Sequence, residues 1–234
     1  MIERKLNARL LSAASLVRQG AVFADIGTDH AYLPIFLLNS GSIIRAYATD
    51  VNEGPLRSAY ENIGSAGLLD RVELQLTDGA AALSDSGATD YAICGMGGEL
   101  IEDIIRNAPH LFSPEISLIL QPMSKQSSLR AYLYSAGFVI EKEVYSYDAG
   151  KYYVCFLAHF AGECRNISEI ESELGVTNCD IVSLSEGAPE NARIGYLKVR
   201  LASLRRAAKG KIHSGDTSPS ELKLISEIER IIAG

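Results

Sequence analysis

Five short apolar segments, each ending in a polar or glycine-containing turn, recur along the first half of the chain. They are Ala21–Ile26, Ala46–Thr49, Val72–Leu76, Tyr91–Cys94 and Ile116–Leu120. The segments between them are long enough for helices, among them Gly54–Ser65 and Glu99–Asn107. Short strands that alternate with helical crossovers predict a mostly parallel, doubly wound α/β sheet.

The next two strand-like segments differ from these five because only a tight turn separates them. Phe138–Tyr145 and Tyr152–Phe160 are joined at Asp148-Ala149-Gly150, which predicts an antiparallel hairpin. Five parallel strands finished by such a hairpin are the outline of a class I (Rossmann-like) methyltransferase. We therefore predict a methyltransferase domain over residues 1–160, opened by a helix that ends near Gly20.

The composition changes after Phe160. Residues 162–190 read as irregular, and a heptad-like apolar seam follows at Ile194, Leu197, Leu201, Leu204 and Ala208. Ser218-Pro219-Ser220-Glu221 resembles a capping box with proline at the first helical position, before a helix rich in leucine and isoleucine. Two helices with a short connection predict an α-helical coiled-coil hairpin within a C-terminal helical domain over residues 161–234.

Composition narrows the class of protein. The 234 residues are 47% hydrophobic and carry a net charge of -7, which excludes wholesale disorder. No apolar run reaches the ~18 residues of a membrane span, and the start of the chain is a poor signal peptide. Four cysteines without a CxxC pair indicate neither a disulfide framework nor structural zinc. We expect a soluble, cytoplasmic monomer without a metal.

Charge is distributed unevenly along the chain. Residues 192–215 contain seven basic residues and no acid, and a smaller basic cluster that includes Arg9 lies at the N-terminus. Such patches can hold a polyanion. A solvated helix face explains a charge run equally well and is the more common case.

Carboxylates follow three successive predicted strands. Asp25 closes the first, Asp50 the second, and Asp78 comes just after the third. Ligands bind beyond the carboxyl ends of strands in open α/β sheets. Only Gly27 of a dinucleotide fingerprint is present, which disfavours NAD or FAD. A carboxylate at Asp50 can accept hydrogen bonds from both ribose hydroxyls, and Asp78-Gly79 can contact an adenine. Binding of S-adenosylmethionine therefore explains the three acids better than three unrelated turn caps do.

The fourth and fifth strand ends add two features. Gly95-Met96-Gly97-Gly98 removes side chains where a sulfonium and its acceptor must meet, and no Gly-Lys-Ser/Thr follows that would indicate a phosphate loop. Gln121-Pro122 can wall the pocket and offer an amide to a base edge, although simple strand termination explains it equally well.

Asp29 occupies a position where methyltransferases more often have glycine. A carboxylate near an adenine ring would stabilise the positive charge that the ring gains as it attacks a methyl group, so Asp29 is the candidate catalytic residue. Methylation of a base hidden in a stack also requires that the base be flipped out. Tyr32 or Met96 could provide a wall for it.

The string Ala24-Asp25-Ile26-Gly27-Thr28-Asp29-His30-Ala31-Tyr32-Leu33-Pro34 resembles the opening motif of the bacterial TrmK family, the tRNA (adenine(22)-N1)-methyltransferases. Residues 50–56, 95–98 and 118–122 match the same family. The resemblance implies a Rossmann-like domain with a C-terminal coiled coil, S-adenosylmethionine as cofactor, and methylation of adenine N1 in the D-loop region of tRNA. It also implies that Asp29 faces the target base, that the N-terminal helix and the coiled coil hold the tRNA, and that residues 161–234 are therefore a tRNA-binding domain.

These arguments give two groups of site residues beside Asp29. The predicted cofactor-binding residues are Asp25, Gly27, Thr28, His30, Asp50, Val51, Asp78, Gly79, Gly95, Met96 and Gly97. The predicted substrate-binding residues are Arg9, Tyr32, Gln121, Pro122, Arg200, Arg205 and Arg206. Two alternatives remain open: a methyltransferase for a small molecule or protein, and a cofactor-sensing or RNA-binding module without turnover.

Overall fold

Eight strands of the described residues form a single mixed sheet. The structure is a computed structural model and describes residues 6–176, 179–212 and 219–234. The strands are β1 (Ala21–Ile26), β2 (Ile43–Asp50), β3 (Val72–Leu76), β4 (Asp90–Gly97), β5 (Ser117–Ser124), β6 (Phe138–Asp148), β7 (Lys151–Phe160) and β8 (Asp180–Leu184). Their order across the sheet is β3-β2-β1-β4-β5-β7-β6-β8.

Eight α-helices of the described residues accompany the sheet. They are α1 (Ala8–Ala14), α2 (Tyr32–Asn39), α3 (Glu53–Ser65), α4 (Gly98–Arg106), α5 (Gln126–Ser135), α6 (Glu169–Leu174), α7 (Ala192–Ile212) and α8 (Pro219–Ala233). None of the described helices is both long and apolar enough to cross a membrane.

Strand direction decides where a ligand can bind. The pairs from β3 to β5 are parallel, and β7 is antiparallel to both β5 and β6. The strands β1 to β5 therefore all end at one edge of the sheet, which we call the carboxyl edge, and the β6–β7 turn lies there as well. The opposite edge, where these strands begin, is the amino edge. This topology confirms the predicted doubly wound sheet and its terminal hairpin.

Two apolar layers cover the two faces of the sheet. One contains buried residues of α2 and α3, such as Leu37 and Ile63, together with residues around α1. The other contains α4 and α5. In α4, Ile101, Ile104 and Ile105 recur at helical spacing and are buried, which explains why this segment folds as a helix against the sheet. Both faces are covered, as a largely parallel sheet requires.

The tail departs from the predicted irregular stretch over 162–190. A capping box forms at its centre, where the Ser168 and Glu171 side chains and backbones bond reciprocally to start α6. Further on, β8 pairs in parallel with β6. The prediction was wrong here because β8 is only five residues long and half exposed, so its apolar pattern is weak. The sheet therefore continues past residue 160.

Helices α7 and α8 pack against each other. Leu197 and Leu201 of the predicted seam lie in one buried cluster with Leu224 and Ile228 of α8. Helix α8 begins at Pro219 as the sequence predicts. The proposed cap Ser218 and the connection at 213–218 lie outside the described residues, so the coiled-coil hairpin stays a prediction.

A buried ion pair joins the tail to the sheet. Arg130 of α5 donates from Nε and Nη2 to the Glu143 carboxylate of β6 at 2.6 and 2.9 Å, and both side chains are buried. Its Nη1 donates to the carbonyl of Ser172 at 2.9 Å, at the end of α6. The next residue, Glu173, accepts two hydrogen bonds from Arg200 of α7. Polar contacts thus run without a break from α5 through α6 to α7.

Candidate active site at the carboxyl edge

The loop after β1 is shaped by backbone geometry that few residues tolerate. Gly27 has a φ of 75°, and a Cβ at this position would lie 2.0 Å from Met96 Cε. The amides of Gly27 and Thr28 donate to the Thr49 carbonyl of β2 at 2.8 and 2.7 Å. Thr28 Oγ1 accepts from the amide of Ala31, whose φ of 55° is left-handed. The loop therefore turns tightly and brings β1 close to Met96 of β4.

Asp25 lies at the base of this loop and is almost completely buried. Burial raises the pKa of its carboxyl group from 3.8 to about 6, and the Thr28 hydroxyl, which donates to it, lowers the pKa in part. No arginine, lysine or histidine among the described residues forms an ion pair with it. A buried carboxylate with so little compensation is typical of a functional site, where a ligand can supply the missing charge.

Asp29 is the most accessible group of the loop. Its side chain is 76% exposed, and Oδ2 lies 3.3 Å from Nε2 of His30. The His30 ring stacks on the Tyr32 ring with centroids 5.0 Å apart and an interplanar angle of 24°. Asn62 donates to the His30 carbonyl at 3.0 Å. The three predicted residues Asp29, His30 and Tyr32 thus form one cluster, with the carboxylate open to an approaching molecule.

The predicted acids of the next two strands occupy more open positions. Asp50 ends β2 and accepts a hydrogen bond from the amide of Asn52 at 2.8 Å, and Val51 beside it is exposed. Asp78 is exposed in the turn after β3. Gly79 has a φ of 69° and lies against Ile104 of α4. These acids follow adjacent strands at the carboxyl edge, as the sequence predicts.

Gln121 connects the ends of β4 and β5 to the N-terminal helix. It is fully buried, and its Oε1 accepts from the Gly95 amide at 3.1 Å and from Arg9 Nη1 at 2.8 Å. A Cβ at Gly95, where φ is 80°, would lie 3.6 Å from Arg9 Nη1. Arg9 therefore lies inside the candidate site. The sequence indicated it only as a member of a basic patch, and nothing in the sequence pairs it with Gln121, 112 residues away.

Gly98 is a site residue that the predicted set omits. A Cβ there would lie 2.6 Å from the carbonyl oxygen of Lys125 and 2.9 Å from that of Ser124. A Cβ at Gly97 would lie 3.3 Å from Ser124 Oγ, and Pro122 is buried in register with Met96. Only glycine at 98 lets the start of α4 approach the β5–α5 loop so closely. The glycine run in the sequence was a usable signal for it.

The arginines predicted on α7 do not join this cluster. Arg200 is paired with Glu173, and Arg205 donates to Glu229 of α8 at 2.7 Å. Arg206 donates to the Ala202 carbonyl at 3.2 Å and forms no ion pair with a described residue. The acid-free stretch of the sequence is thus partly neutralised by acids from other segments. Within the described ranges we find no group of three or more His, Cys, Asp and Glu side chains able to hold a metal ion.

The fold and this site correspond to a known class of enzyme. A family model described as a methyltransferase domain matches residues 6–156. The chain therefore belongs to the methyltransferase-domain family. Its strand order, its terminal hairpin and the polar carboxyl edge agree with that class.

Individual relatives define the family more narrowly. The tRNA (adenine(22)-N(1))-methyltransferase of Bacillus subtilis (strain 168) is 34% identical over 158 residues, which are 68% of this chain and 66% of that protein, just under two thirds of its length. A Streptococcus pneumoniae protein solved with S-adenosyl-L-methionine is 31% identical, with a TM-score of 0.78, over 94% of this chain and 97% of that one. M. capricolum TrmK, solved with S-adenosyl-homocysteine, is 26% identical, with a TM-score of 0.74, over 97% and 98%.

Within the methyltransferases, the chain is a member of the tRNA (adenine(22)-N(1))-methyltransferase family. The predicted family, enzyme class and cofactor, S-adenosylmethionine, are confirmed by these comparisons. The roles of the individual site residues stay predictions.

Proposed function

We propose that this chain transfers the methyl group of S-adenosylmethionine to N1 of adenine 22 in tRNA. The names of its relatives support the acceptor, and the arrangement at the carboxyl edge supports the chemistry. The observation that carries the proposal is the exposed Asp29 carboxylate on the loop after β1, beside a fourth strand end opened by glycine at 95, 97 and 98.

The carboxyl edge fits the cofactor. Gly27 and Gly95 both have left-handed φ values and provide backbone that a ligand can approach closely. Asp50 offers a carboxylate to the ribose hydroxyls, and Asp78 with Gly79 offers one to the adenine. Asp25 is a buried carboxylate in need of a cationic partner. When bound, S-adenosylmethionine supplies an electrophilic methyl group on a positively charged sulfur.

Asp29 acts on the acceptor. As N1 takes up the methyl group, the adenine ring gains positive charge, and a nearby carboxylate stabilises that charge. His30, 3.3 Å from the carboxylate and stacked on Tyr32, orients Asp29. Beyond such stabilisation the reaction mainly needs alignment of its partners, which the packed loops provide.

Arg9, Gln121 and Pro122 form the opposite wall of the acceptor site. The Gln121 amide oxygen holds both the Gly95 amide and the Arg9 guanidinium, so the cation is fixed where the flipped base enters. Tyr32 and Met96 are the candidates for the surface against which that base packs.

The tRNA backbone is held by the N-terminal helix and by α7 and α8, acting as a coiled-coil hairpin within the C-terminal domain of residues 161–234, which follows the catalytic domain of residues 1–160. Phosphate contacts supply most of the sequence-independent affinity of such a complex. Arg206 is the most available of the three predicted arginines, because phosphates compete with Glu173 for Arg200 and with Glu229 for Arg205. We expect the enzyme to act as a monomer.

Methyl transfer from labelled S-adenosylmethionine to unmodified bacterial tRNA tests this function. We expect 1-methyladenosine among the digested nucleosides, and a loss of kcat of about 10²–10³-fold in Asp29→Ala, with the cofactor Kd largely unchanged. Asp70→Ala removes an exposed carboxylate between α3 and β3 at the amino edge, and we expect it to match the wild type.

Three outcomes would contradict the proposal in different ways. Label in a small molecule or protein but not in RNA would support the alternative acceptor class. Binding of cofactor and tRNA without transfer would support a binding module. Wild-type turnover by Asp29→Ala would leave the activity intact and remove Asp29 from it.

A further inference from the structure

A cavity of about 380 Å³ opens beside the candidate site, between the β6–β7 turn, the start of α5 and the N-terminal part of α7. Its lining includes Gln126, Lys151, Tyr152, Tyr196, Arg200 and Ser203. We propose that this cavity is a second RNA subsite, which binds the phosphate and base of a nucleotide a few positions from the target adenine. The proposal rests on the proposed function and adds a specific contact to it.

The charge of the cavity favours an anion. Its lining contains two cationic side chains, Lys151 and Arg200, and no acid, although the whole chain carries a net charge of -7. Arg200 is compensated by Glu173. Lys151 is exposed and forms no ion pair with a described residue, and its cross-strand partner Asp148 is not within ion-pair distance. Lys151 is therefore the cation with charge left for a phosphate.

The aromatic residues of the cavity are held rigidly by packing. Tyr152 lies directly on α7, because a Cβ at Gly195 would be 2.1 Å from its Cζ, and its ring contacts that of Tyr147 at 4.9 Å. Tyr196 packs edge-on against Tyr145 with centroids 5.2 Å apart. Val199, also in the lining, is 60% exposed. A fixed aromatic wall with an exposed apolar residue suits the stacking of a base without reading its sequence.

The cavity lies on the same edge as the candidate active site. Gln126 Nε2 donates to the Pro122 carbonyl at 3.2 Å, and Pro122 is in register with Met96 of β4. Only β4 and β5 separate β1 from β7, so the Asp29 loop and Lys151 are roughly 14 Å apart across the strands, given ~4.8 Å between strands. Phe156 of β7 is level with Ile26, and the stretch of β7 from there out to Lys151 adds roughly 17 Å along the strand at ~3.4 Å per residue. One strand of RNA can span that distance without leaving the surface.

Charge reversal at Lys151 tests the subsite. We expect Lys151→Glu to raise the KM for tRNA about tenfold near 0.1 M salt and to reduce the salt slope of binding by about 0.7–0.9, which is the share of one phosphate contact. The kcat and the cofactor Kd should stay as in the wild type. Arg45→Glu is the matched control, because it makes the same charge change on a half-exposed residue near the amino edge. We expect it to leave the tRNA KM unchanged.

Filling the cavity provides a second measurement that leaves charge unaltered. Ser203 is exposed on α7, so Ser203→Trp adds bulk without entering the core. We expect a rise in KM because the base can no longer stack, and an unchanged salt slope because Lys151 still contacts the phosphate. Thermal melting should confirm the fold. If the wild type methylates tRNA and both variants bind it as Arg45→Glu does, the subsite is wrong and the proposed function stands. If the wild type does not methylate tRNA at all, the proposed function fails and the subsite fails with it.

Discussion

Two aspartates on neighbouring strands are both buried, yet their surroundings differ. Asp90, at the start of β4, is fully buried and accepts from the backbone amide, Nε and Nη2 of Arg18 at 2.9, 2.8 and 2.6 Å. Arg18 also donates to the carbonyls of Thr89 and Glu115. Asp25, near the end of β1, has only the Thr28 hydroxyl as a side-chain partner among the described residues.

This difference separates the two edges of the sheet. At the amino edge, Arg18 neutralises the Asp90 carboxylate and donates hydrogen bonds to it. This pair fixes the segment after α1 to the starts of β4 and β5. At the carboxyl edge, the Asp25 carboxylate is left with a raised pKa and forms no ion pair with any cationic side chain in the described ranges. The three non-glycine residues of the described chain with left-handed φ, Ala31, Lys125 and Ala149, also lie at the carboxyl edge. Unfavourable electrostatics and backbone strain thus coincide at the edge where we propose that the ligand binds.

The largest effect is expected from making Asp90 resemble Asp25. Arg18→Ala removes the side-chain donors and leaves a buried carboxylate uncompensated, which should cost about 3 kcal/mol of unfolding free energy. Gln19→Ala, at the exposed next residue, is the control and should cost far less. Denaturant unfolding measures both. A loss under about 1 kcal/mol for Arg18→Ala would mean that Asp90 is held by the backbone and not by this pair.

The next effect is expected from removing the charge of Asp25. Because the folded pKa of about 6 lies above the ordinary 3.8, stability is lost as the pH rises through 6. Asp25→Asn carries no such charge, so it should be more stable than the wild type at pH 8, by on the order of 3 kcal/mol, and equal to it near pH 4. Unfolding at a series of pH values checks this.

The same variant separates stability from function. Asp25→Asn should bind S-adenosylmethionine more weakly by calorimetry although it is more stable. Asp70→Asn removes an exposed carboxylate and should alter neither property. If the difference in stability between Asp25→Asn and the wild type is the same at pH 8 as at pH 4, the charge of Asp25 is compensated in solution.

The smallest effect concerns Thr28, whose side chain supports Asp25. Thr28→Val removes the hydroxyl that lowers the Asp25 pKa and accepts from Ala31, so we expect a loss of about 1 kcal/mol and a further rise in that pKa. The pH at which stability falls should move upward with it. Thr49→Val is the matched control, because the Thr49 hydroxyl is buried without a partner in the structure. If both variants lose the same amount of stability, the Thr28 hydroxyl has no special role.

The sequence predicted the parts of the fold that local patterns encode. Apolar runs that alternate with helical spacings identified β1 to β7 and their order along the chain, and Asp25, Asp50 and Gly95 fell at strand ends as a consequence. Boundaries shifted where pairing adds residues: β4 runs on to Gly97 because irregular pairing with β5 continues past Cys94.

The remaining features depend on contacts between distant segments. Arg9 reaches Gln121 across 112 residues, and β8 becomes a strand only because β6 offers it an edge. The basic stretch on α7 counted as free charge in the sequence, whereas Glu173, Glu190 and Glu229 pair with three of its members. Neither the periodicity nor the composition of a sequence reveals such pairings.

The position of β8 affects how the protein is completed during synthesis. Strand β6 is an interior strand only because Asp180–Leu184 pairs with its free side. When the ribosome has made only the first 160 residues, β6 is an open edge whose unpaired amides and carbonyls can attract another chain. The sheet is therefore complete only once residues beyond 160 have been added. The last hydrogen-bonded strand of the sheet, β8, belongs to the segment that leads into α7.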